Sequence, residues 1–377
     1  MARSEIERER LFKLTPLSDK ETRNIEILEL LRKKGPISRT EISKITGINI
    51  VSVSNYINNY LDKKLVLEKG FDASTGGRKP ELVELNVKEN NIIGIDIAKE
   101  EIRASLTDLG MNVIEKMIAP ISKGPRSDLE TNAINLLDEV IKKSKIALGN
   151  IRAIGISITD DDFAFIEERV KRHFGIEAFF GNRASCAAFG EKCLNPAANN
   201  VEKILYMYSS LGQGVVIKGN SYEIDKDEGE AKGLKYLRPW PSAFGMAEVA
   251  KQEASKGIGT DIVKKANGKL DNITDKTVIE AAKLDDEVAS NIVRNVGITL
   301  GLRIAYLVNL FSPEVVVIGG GVEKGGELIL GAVKKMIERL ALSEYANRTK
   351  IIPGVLGEDA ASLGAASLAI REIFLRA

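Results

Sequence analysis

The stretch Ser38 to Leu61, SRTEISKITGINIVSVSNYINNYL, constrains this chain more than any other. Ser38 suits the N-cap of a short helix over Arg39 to Thr46, and Gly47 can take the left-handed conformation that ends it. Ile48 and Asn49 complete a tight turn, and a second helix runs from Ile50 to Asp62. Ile42 and Ile45 share one side of the first helix. Ile50, Val53, Ile57 and Leu61 follow helical spacing along the second and are expected to face inward. Two short helices joined by a glycine turn, each with an apolar seam, describe a helix-turn-helix.

The flanks supply what this motif needs to form a domain. Upstream, NIEILELLRKK (Asn24 to Lys34) is amphipathic, with Ile25, Leu28 and Leu31 in phase, and Gly35-Pro36 stops it. Downstream, Leu65 to Leu67 and Leu82 to Leu85 read as short strands around the turn-rich GFDASTGGRKPE. A hairpin after the second helix makes this a winged helix, with Arg78 and Lys79 at the tip of the wing. With the seam inward, Val51, Ser52, Ser54, Asn55, Asn58 and Asn59 face outward. Asn suits adenine and a small apolar side chain suits the thymine methyl, so an A·T-leaning half-site on double-stranded DNA is expected. Phosphate contacts fall to Ser38, Arg39, Thr40, Arg78 and Lys79.

Composition is that of a globular protein, with 44% hydrophobic and 28% charged residues. A net charge of +1 does not advertise nucleic-acid binding, so the DNA reading rests on the motif. Two cysteines, Cys186 and Cys193, and one histidine, His173, exclude a disulfide framework and a multi-cysteine zinc cluster. No metal and no cofactor site is read. The charged start MARSEIERERLFKL has neither a signal-peptide nor an anchor pattern, which leads us to expect a cytoplasmic protein.

Beyond Val87 strands and helices alternate. Ile92 to Ile97, Glu101 to Asp108 and Met111 to Ala119 read as strands, followed by a helix over Asp128 to Ala147 and a strand over Ala153 to Thr159. Helices are expected near Phe163 to Phe174 and Ala184 to Cys193. The pattern restarts with a strand at Lys203 to Ser209, a turn at Leu211 to Gly214 and a strand at Val215 to Lys218. GIDIAKEEIRASL and ILYMYSSLGQGVVIKG are thus two strand–turn–strand units, a weak internal repeat. Late strand EVVVIGGG and helices over Gly326 to Leu340 and Asp359 to Phe374 complete the chain. The expected architecture is α/β, with two similar lobes after the winged helix. The expected domains are 1–86, then 87–200 with 360–377, then 201–359.

These segments, in this order, resemble the ROK family of sugar-responsive repressors and sugar kinases. The resemblance runs through SRTEISKITGI, GGRKPELVELN, GIDIAKEEIRASLTDLG, FFGNRASCAAFGE, SLGQGVVIKG, NLFSPEVVVIGGGV and DAASLGAASLA. It implies an actin/hexokinase-like (ribonuclease H-like) two-lobed domain that forms homodimers or homotetramers. It also implies a kinase site from which this chain departs. Asp96 is kept, but Ala98, Lys99 and Glu100 stand where family kinases have Gly-Gly-Thr. Arg183 follows Asn182 where they have Asp as general base, and Arg cannot accept a proton. EGEAKGLKY stands for the family's Glu-x-Gly-His segment, with Leu234 in place of His, and the zinc motif is absent. The connection from Thr159 to His173 is short where family kinases place a sugar-contacting loop. Two readings follow: a sugar-responsive DNA-binding repressor with a non-catalytic effector domain, or an ATP-dependent sugar kinase with an appended DNA-binding module. The departures favour the first. Asn182, Arg183, Glu230, Gly212 and Gly214 are the candidate residues for a small sugar effector, although Asn182 equally suits the cap of the helix at Ala184.

Overall fold

The computed structural model describes residues 17–71, 81–98, 101–121, 126–158, 163–198, 201–208, 212–217, 220–222 and 245–377. The chain divides into two compact units, Met1–Cys186 with Ala361–Ala377, and Ala187–Ala360.

The first unit begins with the winged helix. Helix α1 (Asp19–Lys34) starts earlier than the sequence pattern suggests, because Ser18 and Glu21 form a reciprocal capping box. Strand β1 (Ile37–Ser38) leads into α2 (Arg39–Thr46), which Ser38 caps by accepting the Glu41 amide. Gly47, at φ 72°, closes α2 in the left-handed region. Helix α3 (Ile50–Asp62) is capped by Asn49, whose side chain accepts the Ser52 amide. Strands β2 (Val66–Phe71) and β3 (Glu81–Leu85) pair antiparallel, and β1 adds to the far edge of β3. Buried residues along α3 are Val53, Ile57 and Tyr60. The expected seam is therefore corrected at both ends. Ile50 is 41% exposed and Leu61 is half-buried, because buried Ile48 fills the turn and Tyr60 turns inward. Ile45, expected on the seam of α2, is also exposed.

A five-stranded sheet follows in the same unit. It is built from β4 (Asn91–Ile97), β5 (Glu101–Asp108), β6 (Val113–Pro120), β7 (Ile151–Ile158) and β8 (Glu177–Asn182), in the order β6-β5-β4-β7-β8. The first three strands form an antiparallel meander, while β7 and β8 lie parallel to β4. Helices α4 (Arg126–Ser144) and α5 (Phe163–Phe174) provide the crossovers, and α6 (Arg183–Leu194) leaves the end of β8. Strand β8 was not expected from the sequence; its four central buried residues end directly at a helix start, which leaves no turn signal between them.

The second unit repeats the strand plan. Strands β9 (Lys203–Tyr208), β10 (Gly212–Ile217), β11 (Asn220–Tyr222), β12 (Val315–Gly319) and β13 (Lys350–Pro353) follow the order β11-β10-β9-β12-β13, again an antiparallel meander with two parallel strands. Between β11 and β12 lie α7 (Met246–Ser255), α8 (Asp261–Lys265), α9 (Asp275–Ala282) and α10 (Glu287–Phe311). The unit continues with α11 (Glu327–Leu340) and α12 (Ser343–Arg348). Asp286 caps α10, accepting the Ala289 amide at 2.8 Å. Burial would raise the Asp286 pKa, yet this amide, the Asp261 amide and the Thr260 hydroxyl outweigh it and hold the carboxyl below its ordinary range. Among the described residues no helix is long and apolar enough to cross a membrane.

The last helix, α13 (Ala360–Leu375), returns to the first unit from Ala361 onward. It lies directly on the backbone of the central strands. A Cβ at Gly94 of β4 would sit 1.9 Å from the Ser362 carbonyl oxygen, and one at Gly155 of β7 would sit 2.1 Å from that of Ala365. No side chain fits in either place, so this contact exists only because both residues are glycine. Gly155→Ala is therefore expected to cost at least about 1–3 kcal/mol. Urea denaturation of the full chain checks this; an unchanged midpoint would remove the close-approach argument.

Candidate DNA-binding and effector site

The DNA-facing candidates divide into exposed and engaged groups. Val51 (66% exposed) and Asn55 project from α3 into solvent, and Thr40 does so from α2. Ser52 and Ser54 are half-buried. Ser38 is buried, with its hydroxyl engaged by the Glu41 amide at 3.2 Å and within 3.0 Å of the Thr40 hydroxyl. Arg39 donates to the Asn58 side chain at 3.2 Å and pairs with Glu68 and Glu81, at 3.5 and 3.7 Å. Arg39 thereby ties α2 to α3 and to both wing strands. Arg78 and Lys79 lie outside the described residues.

Of the effector candidates, Arg183 forms a buried ion pair with Asp96. Asp96 points from β4 and is 1% exposed; its register neighbour on β7 is Ser157. Arg183, the first residue of α6, is 5% exposed. Its Nε donates to Asp96 Oδ1 and its Nη2 to Oδ2, both at 2.7 Å. Ser157 Oγ adds a third donor to Oδ1 at 2.8 Å. Planar guanidinium meets planar carboxylate in a two-pronged fit, which suits Arg and not Lys. Sequence reasoning singled out Asp96 and Arg183 separately and missed Ser157, whose only signal is a hydroxyl in the otherwise apolar run from Ala153 to Ile158.

Asn182, half-buried, accepts the Ala184 amide at 3.0 Å through Oδ1, as a residue at a helix start does. A turn was expected at Leu211 to Gly214; instead Gly212 and Gly214 lie within β10, paired with Tyr208 and Tyr206. Lys99, Glu100, Glu230, Gly233 and Leu234 lie outside the described residues. Among the described residues no three His, Cys, Asp or Glu side chains are grouped to hold a metal ion. Cys186 is buried and Cys193 half-buried on α6, and His173 lies 3.0 Å from Asp138.

In the second unit, Glu191 is another buried carboxylate. It accepts the Leu356 and Val355 amides at 3.0 and 3.2 Å and the Asn195 side chain at 2.9 Å. Burial raises its pKa, and these donors offset only part of the effect.

Residues 253–372 match the model of the ROK family. Over 91% of its length the protein is 24% identical to the xylose repressor of Bacillus subtilis, covering 94% of that protein. It is 23% identical to the DNA-binding transcriptional dual regulator NagC of Escherichia coli, with 93% of each chain covered. In fold it is similar to a crystallised ROK family transcriptional regulator, a homolog of the E. coli MLC protein. The TM-score is 0.73 at 19% identity, over 95% of this chain and 98% of that one. It is also similar to a ROK family glucokinase from Streptomyces griseus, with a TM-score of 0.63 at 22% identity. The match spans 99% of the glucokinase but 74% of this chain. The α/β fold is thus similar to that of a ROK regulator and a ROK glucokinase, with the winged helix ahead of it.

Removing one partner of the buried pair strands the other charge. Arg183→Met should destabilise the full chain by roughly 3–5 kcal/mol, and adding Asp96→Asn should recover much of that loss. Equilibrium urea unfolding of the two single variants and the double variant measures this; strictly additive losses would show that the two residues do not act as a pair.

Proposed function

We propose that this protein is a sugar-responsive transcriptional repressor. The winged helix binds operator DNA, and the ROK domain binds a sugar without phosphorylating it. The observation that carries this reading is the Asp96–Arg183 pair. The resemblance puts Arg183 where family kinases keep their general base, and here that position holds a cation already committed to Asp96. Arg183 cannot take a proton from a sugar hydroxyl, and both Asp96 oxygens accept hydrogen bonds from it. A buried carboxylate engaged in this way supports a structural role in place of a catalytic one.

The DNA-binding half of the reading rests on α3. Its exposed Val51 and Asn55 offer an apolar contact for a thymine methyl and a paired donor and acceptor for adenine. Thr40 and the wing residues Arg78 and Lys79 are the phosphate-contacting candidates; Arg39 instead holds the domain together. One winged helix covers one half-site, so useful affinity needs two. A homodimer supplies the second. Its candidate surface is α10, where Ile298, Leu302, Tyr306 and Leu310 form an exposed apolar row at a spacing of four, between 40% and 61% exposed. Such a protein works in the cytoplasm, where its operator is. The effector is a monosaccharide or a simple derivative, the class named in the relatives, with Asn182, Gly212, Gly214 and Glu230 as the residues to vary.

An operator duplex selected from a random library should bind the protein, and a panel of monosaccharides including D-xylose and N-acetylglucosamine should contain one that releases it. Mobility shift and calorimetry provide the readouts. ATP-coupled assays on the same sugars should show no turnover; phosphorylation of any of them overturns the non-catalytic reading. Asn55→Ala should weaken operator binding by roughly 1–3 kcal/mol, and Leu302→Glu should shift the protein toward monomer in light scattering.

A further inference from the structure

The recognition helix is fastened to the ROK domain at a point far from the chain connection between them. Tyr60 of α3 is fully buried, and its ring meets that of Phe374 edge to face, with centroids 4.8 Å apart. Phe374 stands near the end of α13 and is itself fully buried. Asn24 of α1, 3% exposed, donates through Nδ2 to the Phe374 carbonyl at 2.8 Å, and the Tyr60 hydroxyl donates to Asn24 Oδ1. Burial, and then the neighbouring Tyr56, push the Tyr60 hydroxyl pKa up, which keeps it a donor.

A second set of bonds secures the end of the same helix. Arg152 of β7 donates to the Lys63 carbonyl at 3.0 Å and to Asn90. Asn86 and Asn90 both donate to the Lys64 carbonyl, at 3.0 and 2.9 Å. Lys63 reaches the Arg376 carbonyl. The other half of α13 lies on Gly94 and Gly155, with the Ser362 and Ser105 hydroxyls 3.0 Å apart. Those two glycines belong to the strands that carry Asp96 and Ser157. One rigid helix therefore touches the sheet holding the buried ion pair at one end and the recognition helix at the other.

We propose that Phe374, with Asn24 and Tyr60, positions the recognition helix, and that α13 carries the state of β4 and β7 to the DNA-binding face. This rests on the DNA-binding reading above. A purely apolar contact would hold these elements together equally well. The buried Asn24–Tyr60 bond additionally selects one arrangement of α1, α3 and α13, because any shift strands buried polar groups. Coupling between sites is reciprocal, so DNA on α3 must be felt at β4 and at the Ser362 end of α13.

The test is hydrogen exchange on the full chain, free and bound to the selected operator, for wild type, Phe374→Ala, Phe374→Leu and Asn24→Ala. In wild type, operator binding should slow exchange in α3 and also in β4 and residues 362–366. Phe374→Ala should speed exchange of free α3 by tenfold or more, weaken operator binding by at least tenfold and abolish the response of β4. Phe374→Leu should retain most of both effects, and Asn24→Ala should lose the β4 response with little change in global stability. A β4 response that survives in Phe374→Ala and Asn24→Ala overturns the proposal, as does unchanged exchange of free α3. Should Phe374→Ala not fold, Asn24→Ala decides alone. If wild type binds no duplex, the DNA-binding reading fails, and the free-protein comparison still decides whether Phe374 positions α3.

Discussion

A carboxylate buried on a central strand imposes itself on everything around it. Asp96 is flanked by β5 and β7 and has almost no contact with water. Leaving it unpaired would cost several kcal/mol, so the fold must bring it a cation and further donors. Arg183 provides the cation from the first turn of α6, and Ser157 provides the hydroxyl from the adjacent strand. The β8–α6 junction is thereby fixed against β4 and β7. The side chain that neutralises Asp96 is a guanidinium, which cannot serve as a base.

The sheet that holds this pair is also the floor for the last helix. Two glycines let α13 come down onto the strand backbones, where any side chain would collide with a carbonyl. Its far end brings together groups from the two ends of the chain, Asn24 and Phe374 being 350 positions apart. The winged helix is consequently not a bead on a string. Its recognition helix has fixed partners in α13 and β7, and the residues of the short link act as hydrogen-bond donors to it as well as a tether.

Repetition of one strand plan in the two units shows how a single α/β design serves two surroundings. In the first unit the parallel strands carry the buried ion pair and receive α13. In the second they meet Glu191, a buried acid satisfied by amides and an asparagine instead of a cation. Its raised pKa and the lowered pKa of Asp286 illustrate one rule with two outcomes. Burial raises both, and the balance is decided by how many donors each carboxylate collects against how deeply it is enclosed.

Local chemistry wrote the helix-turn-helix into the sequence legibly. Ser38, Gly47 and Asn49 act within three or four residues of themselves, so the ends of α2 and α3 could be read from the chain alone. The alternation of strands and helices revealed two similar lobes for the same reason. The departure from the family's kinase pattern at Arg183 was visible as a residue type, and Asn182 as a cap for the helix at Ala184. What could not be read was the partner of Arg183. That Arg183 holds Asp96, and that Tyr60 and not Leu61 turns inward, depend on contacts between distant segments. Tyr60 packs against Phe374, a residue 314 positions along, a contact that periodicity within α3 cannot sense. Sequence by itself determined most of the elements, the ends of α2 and α3 and the repeated strand plan, because those follow from short-range backbone and side-chain preferences. Only the tertiary structure decided which buried polar groups meet, because a buried charge or amide is satisfied by whatever the fold brings within 3 Å of it, however far away along the chain.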